Sequence, residues 1–217
     1  MTHQELRDRE DKEKDTYSEN LGIRIHRALS WLNRAEQCSD DADSHVIFLW
    51  IAFNAAYAYE ICFEDSVDQK KMFEGFIDRL CKLDNENRME HLVWDEFAHS
   101  IRVLLDNKYV FQPFWNHLNN KKTTEKEWKV SFARAKSSAK YALRNRNTAK
   151  VLTLVLSRVY TLRNQIVHGG ATWNSSVNRR QVTDGSKFMG RLVPLLIEIM
   201  MDNPDEPWGK PCYPVVN

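Results

Sequence analysis

No stretch of this sequence approaches the roughly 20 consecutive apolar residues that a membrane-spanning helix requires, although 42% of its 217 residues are hydrophobic. A membrane role is therefore not expected. Met1 leads into a strongly charged segment rather than an apolar leader, which points to a cytoplasmic chain. Cysteine is scarce: Cys38, Cys62, Cys81 and Cys212 fall at spacings that match neither a zinc site nor a dense disulfide framework, so they read as reduced thiols. His91 and His99 are eight apart and can share a helical face, but no carboxylate or Cys at ligand spacing completes a metal set. No metal or cofactor is expected. Alternation of apolar and polar residues over a useful length is absent, as is any internal repeat, which leaves neither strands nor a solenoid.

What remains is apolar periodicity at three and four residues, and it predicts an all-α fold, a single-domain helical bundle. Residues 1–15 alternate acids and bases with hardly an apolar residue, and read as a solvated or frayed lead-in. Residues 16–203 carry the helical domain, and 204–217 an irregular tail. Leu21, Ile25, Leu29 and Leu32 mark a first amphipathic helix. Val46 to Phe63 is apolar nearly all round and should lie at the centre of the core. Further helices are predicted over Gln69–Leu83 and Met89–Leu105. A short aromatic turn at Tyr109–Leu118 follows, then a loop over residues 119–124. Thr124 and Glu127 sit at capping-box spacing and open a long helix. Val151–Val167 and Val182–Met201 complete the set, the last one bent or restarted at Pro194.

The net charge of +1 conceals an uneven distribution. Residues 124–200 hold fourteen Lys and Arg against four Asp and Glu. Lys136, Lys140, Arg144 and Arg146 run along the helix after the capping box, with Trp128, Phe132 and Tyr141 interleaved, and Arg179 and Arg180 follow later. These six cations are candidate RNA contacts, because phosphates attract cations and bases stack on π faces. The ordinary reading is that the aromatics face the core and the cations face water, and for the aromatics it is the stronger one.

The candidate site is the stretch Thr161 to Gly170, which ends a long helical pattern on two glycines, the usual helix stop. His168 falls in its last turn, where the helix C-terminus favours a cation. Imidazole is also the side chain that exchanges protons near neutral pH. Asn164 and His168, four apart, share a face, whereas Arg163 and His168 point roughly 140° apart on an ideal helix. A long guanidinium stem or a frayed last turn can bring the two heads together. A cation, an amide and an imidazole at one helix end suit a phosphate. Taken singly, such a His is more often a capping cation and such an Arg a surface ion-pair former.

Arg163-Asn164-Gln165-Ile166-Val167-His168 resembles the Arg, polar residue, three variable residues, His motif of the HEPN superfamily. The stretch Leu49 to Tyr57 is similar to the early helix of a bacterial subgroup of those proteins. The resemblance implies a HEPN-like helical core and a homodimer whose composite cleft cleaves RNA without metal by attack of the 2′-hydroxyl, leaving a 2′,3′-cyclic phosphate. Arg163 would hold and neutralise the phosphate, Asn164 would orient the phosphate or the imidazole, and His168 with its symmetry mate would act as base and acid. It further implies a toxin or phage-defence effector, with RNA, a second copy, and an antitoxin or other defence-system subunit as partners. One branch of the superfamily carries a Tyr two residues after the His that a partner transferase modifies. Gly170 stands there in this chain, so an antitoxin of that type is not expected. Two other readings stand beside the nuclease: a non-catalytic HEPN-like module binding RNA, nucleotide or protein, and a purely structural dimerisation domain.

Overall fold

Apolar residues at helical spacing, with few internal breakers, fold into ten α-helices in a computed structural model that describes residues 1–58, 69–120 and 123–213. In chain order these are α1 (His3–Glu13), α2 (Glu19–Glu36), α3 (Ala42–Tyr57), α4 (Gln69–Leu83), α5 (Arg88–His91), α6 (Ala98–Leu105), α7 (Gln112–Asn120), α8 (Glu125–Arg144), α9 (Thr148–Val167) and α10 (Arg179–Asp202). No strand occurs among the described residues. One continuous core runs from Leu6 to Trp208, so the chain forms a single all-α domain.

The centre is α3, packed between α2 and α10 and touching α9, as its nearly uniform hydrophobicity predicts. Asp41 starts it, its carboxylate accepting from the Asp43 and Ser44 amides at 3.0 and 3.4 Å. Trp50 and Phe53 are fully buried and meet edge to face at 5.3 Å. Each contributes about 2 kcal/mol through apolar burial. The small side chains of Ala52 and Ala56 are also buried on this helix. The last residues of the predicted second helix, with Cys62, lie outside the described residues, as do residues 121–122 of the predicted loop.

The N-terminal segment is not a frayed lead-in. Thr2 and Glu5 form a reciprocal capping box, and α1 buries Leu6 against α2. Arg9 reaches Asp202 at 2.8 Å and Glu36 accepts from the His3 amide at 2.7 Å, so a helix with one apolar anchor is held by polar contacts at both ends. The tail after Asp202 is irregular but tied down. Trp208 is buried, Arg24 donates to the Gly209 and Lys210 carbonyls, and Arg27 donates to those of Cys212 and Tyr213.

The apolar pattern over Met89–Leu105 is not one helix. A π-helical turn at Leu92–Glu96 inserts an extra residue between α5 and α6, and Phe97 at the break packs edge to face on Phe188. Conversely, α10 runs unbroken through Pro194, whose ring is buried. Phe111, Phe114 and Trp128 make a second, smaller core between α7 and α8, with Trp115 and Phe132 at its edge. Of the interleaved aromatics on α8, only Tyr141 is strongly exposed.

Candidate active site at the end of α9

The last turn of α9 closes in a Schellman motif. The Gly169 amide donates to Ile166 O at 3.1 Å, the Gly170 amide to Gln165 O at 2.7 Å, and Gly169 takes φ +67°. A Cβ on Gly170 would lie 3.0 Å from the Gln165 carbonyl oxygen, so a side chain is disfavoured there by crowding and at Gly169 by its positive φ. His168 is the C-cap residue, and its amide donates to Asn164 O at 3.0 Å. Its imidazole is exposed and has no hydrogen-bond partner among the described residues.

Arg163 is half-buried and turns back on its neighbour, donating from Nη1 to Asn164 Oδ1 at 3.0 Å. The structure therefore joins Arg163 to Asn164, while the His168 imidazole hydrogen-bonds to neither side chain. Gln165, which the sequence does not single out, anchors the turn by donating from Nε2 to Tyr109 O at 2.6 Å. The loop beyond Gly170 is pinned to the start of α3: Asp41 accepts from Trp173 Nε1 at 3.0 Å, and Asp43 from the Asn174 amide at 3.1 Å. Trp173 and Val177 remain 74% and 90% exposed, and Val167 is half-exposed.

The six candidate RNA contacts do not converge on this turn. α8 and α9 form an antiparallel hairpin through residues 145–147, so Lys136, Lys140, Arg144 and Arg146 lie beside the first half of α9. At 1.5 Å per residue this places them roughly 20–30 Å from His168. Lys136 pairs with Asp106 and lies over Phe132, while Arg146 pairs with Glu90 at 2.8 Å and covers Trp94. Arg179 is bound by Asp43 and serves the loop. Arg180 faces Asp184 at 3.8 Å on the surface, a pair worth little. Only Lys140 and Arg144 are exposed without an acidic partner among the described residues.

No protein-family model matches the chain, and neither a curated protein nor a solved structure is found similar to it. Among the described residues, no helix is long and apolar enough to cross a membrane.

Proposed function

We propose that the chain is a metal-independent endoribonuclease of HEPN type, acting as a homodimer through the last turn of α9. The observation that carries this reading is an exposed imidazole at a helix C-cap with no hydrogen-bond partner among the described residues, one turn after a guanidinium that Asn164 already orients. Transfer from a 2′-hydroxyl needs a base and an acid on opposite sides of the phosphorus, and one helix end supplies one imidazole. A two-fold axis supplies the second. Residues 148–162 of α9 are largely covered by their own chain, so the surface left for a second copy is the last turn with the exposed Val167, Trp173 and Val177.

In the cleft so formed, Arg163 neutralises the phosphate and the two His168 side chains exchange protons with the 2′-hydroxyl and the leaving 5′-oxygen. Lys140 and Arg144 then serve an RNA long enough to run along α8, not the scissile phosphate. On this reading the protein is a cytoplasmic toxin or phage-defence effector, restrained by an antitoxin or other defence-system subunit.

The test is cleavage of a mixed cellular RNA pool in excess EDTA by wild type, Arg163→Ala and His168→Ala, each checked for folding. Wild type is expected to cut RNA but not DNA, leaving 2′,3′-cyclic phosphate ends. Loss of a positioned acid–base group should cost about 10²- to 10⁴-fold in rate. A wild type inert on every RNA class would leave the binding-module reading in place of catalysis, and variants as active as a cutting wild type would remove Arg163 and His168 from the site.

A further inference from the structure

Arg158 is the one charged side chain on the buried face of α9. It is 7% exposed, and no carboxylate approaches it among the described residues. Its guanidinium lies over the Phe111 and Phe132 rings at 4.5 and 5.8 Å. Its one protein acceptor among the described residues is the Leu105 carbonyl, at 3.4 Å from Nη2. Burial pushes the group down to about 10, so it stays protonated at neutral pH. A buried cation with no counter-charge is costly, and cation–π contact offsets only part of that cost.

The side chain is not sealed in. It lines a pocket of about 330 Å³ between α7, α8 and α9, walled by Phe111 and Leu154 and carrying the hydroxyls of Ser131, Ser157 and Thr161. The Ser157 and Thr161 hydroxyls donate to helix carbonyls one turn back, so the proton donors left for an anion are the Arg158 guanidinium and the Ser131 hydroxyl. Ser131 also borders a wider groove of about 570 Å³ that carries Lys126 and Arg134, neither of them ion-paired among the described residues. Glu127 is the acid on that groove, and the capping box with Thr124 engages it. The potential along that adjoining groove therefore favours an anion.

We propose that this pocket binds a small organic anion, its carboxylate or phosphate head paired with Arg158 and a flat apolar body lying against Phe111 and Leu154. Apolar walls with a few convergent polar groups and one fixed charge describe an ordinary small-molecule site. A guanidinium matches an oxyanion with two parallel hydrogen bonds. Arg158 and His168 are ten residues apart on one helix, roughly 15 Å along its axis, so the pocket is separate from the candidate active site and does not depend on it.

The test is calorimetric titration with benzoate, phenyl phosphate and the neutral benzamide. Saturable binding of one or both anions is expected, with benzamide much weaker. Arg158→Met, close in shape and uncharged, should weaken anion binding roughly 10- to 100-fold, the worth of a charge-assisted hydrogen-bonded pair. Ser131→Leu narrows the pocket from α8 without touching the cation, and should also block binding while the unfolding midpoint holds. If Arg158→Met does not fold, Ser131→Leu and the benzamide comparison decide. Absence of saturable binding by either anion, equal binding of benzamide, or titrations unchanged by the substitutions would overturn the proposal. Phenyl phosphate preferred over benzoate identifies a phosphate ligand, and the reverse a carboxylate.

Discussion

At the scale of single residues, the side chains with the most consequence are those whose charge conflicts with their surroundings. His45 on α3 is half-buried, and its Nδ1 lies 2.6 Å from the buried Ser186 hydroxyl of α10. Burial holds its pKa below 6.5, against a smaller opposing pull from Glu36. The unfolded chain therefore binds more protons here than the folded one as pH falls toward and below 6.5. Stability is complete above that value and declines below it, flattening once His45 is protonated in the folded state as well. His45→Gln keeps a hydrogen-bonding group but cannot titrate. Urea unfolding at pH 7.5 and 5.5 should show a smaller pH effect in the variant than in wild type, and equal effects would mean that His45 does not couple to folding. Neither this pair nor Arg158 is apparent from local pattern, because what perturbs each comes from an element far away in the chain. Arg158 did leave a trace: it interrupts the apolar spine between Val155 and Leu162.

At the scale of elements, legibility followed the strength of the periodic signal. The cap of α8 and the glycine stop of α9 were readable because their chemistry is local. The helix α1 was missed although Thr2 and Glu5 stand at the same capping-box spacing, because one leucine in a charged run gives no period and the contacts that hold Leu6, Arg9 and His3 come from other helices. The π turn before Phe97 was hidden for the opposite reason: an inserted residue shifts the phase while both flanks stay apolar. The end of α9 is where element and site meet, and it yields a graded prediction. Gly169→Ala forces a side chain to φ +67° and should cost about 1 kcal/mol. Gly170→Ala pushes a Cβ against backbone that cannot rotate away, so it should cost at least as much and also break the bond to Gln165 O. Because both variants loosen the cap that holds His168, any RNA cleavage should fall with them even where the unfolding midpoint is nearly retained. Denaturant unfolding alongside the cleavage assay separates the two effects.

At the scale of the whole molecule, the basic segment 124–200 is less basic in three dimensions than in one. Lys136, Arg146, Lys150, Arg179 and Arg191 take partners from Asp106, Glu90, Glu74, Asp43 and Glu96, all outside the basic segment. Composition gave the excess but not its cancellation, which depends on tertiary contact. The candidate motif stands in the sequence as a local pattern, and what sequence could not settle was its geometry: Asn164 accepts from Arg163, and His168 bonds to neither side chain. The proposed two-fold cleft, which takes one imidazole from each copy, is measurable. If one cleft uses both His168 side chains, a dimer of one wild-type and one His168→Ala protomer is inactive. After joint unfolding and refolding in equal amounts, random pairing leaves about a quarter of the dimers intact, and activity should fall to about a quarter of wild type. If each His168 works alone, every wild-type protomer remains active and about half the activity survives. Size-exclusion chromatography with light scattering on the same samples establishes whether dimers are present, and a monomer that cleaves RNA at full rate would refute the two-fold cleft altogether.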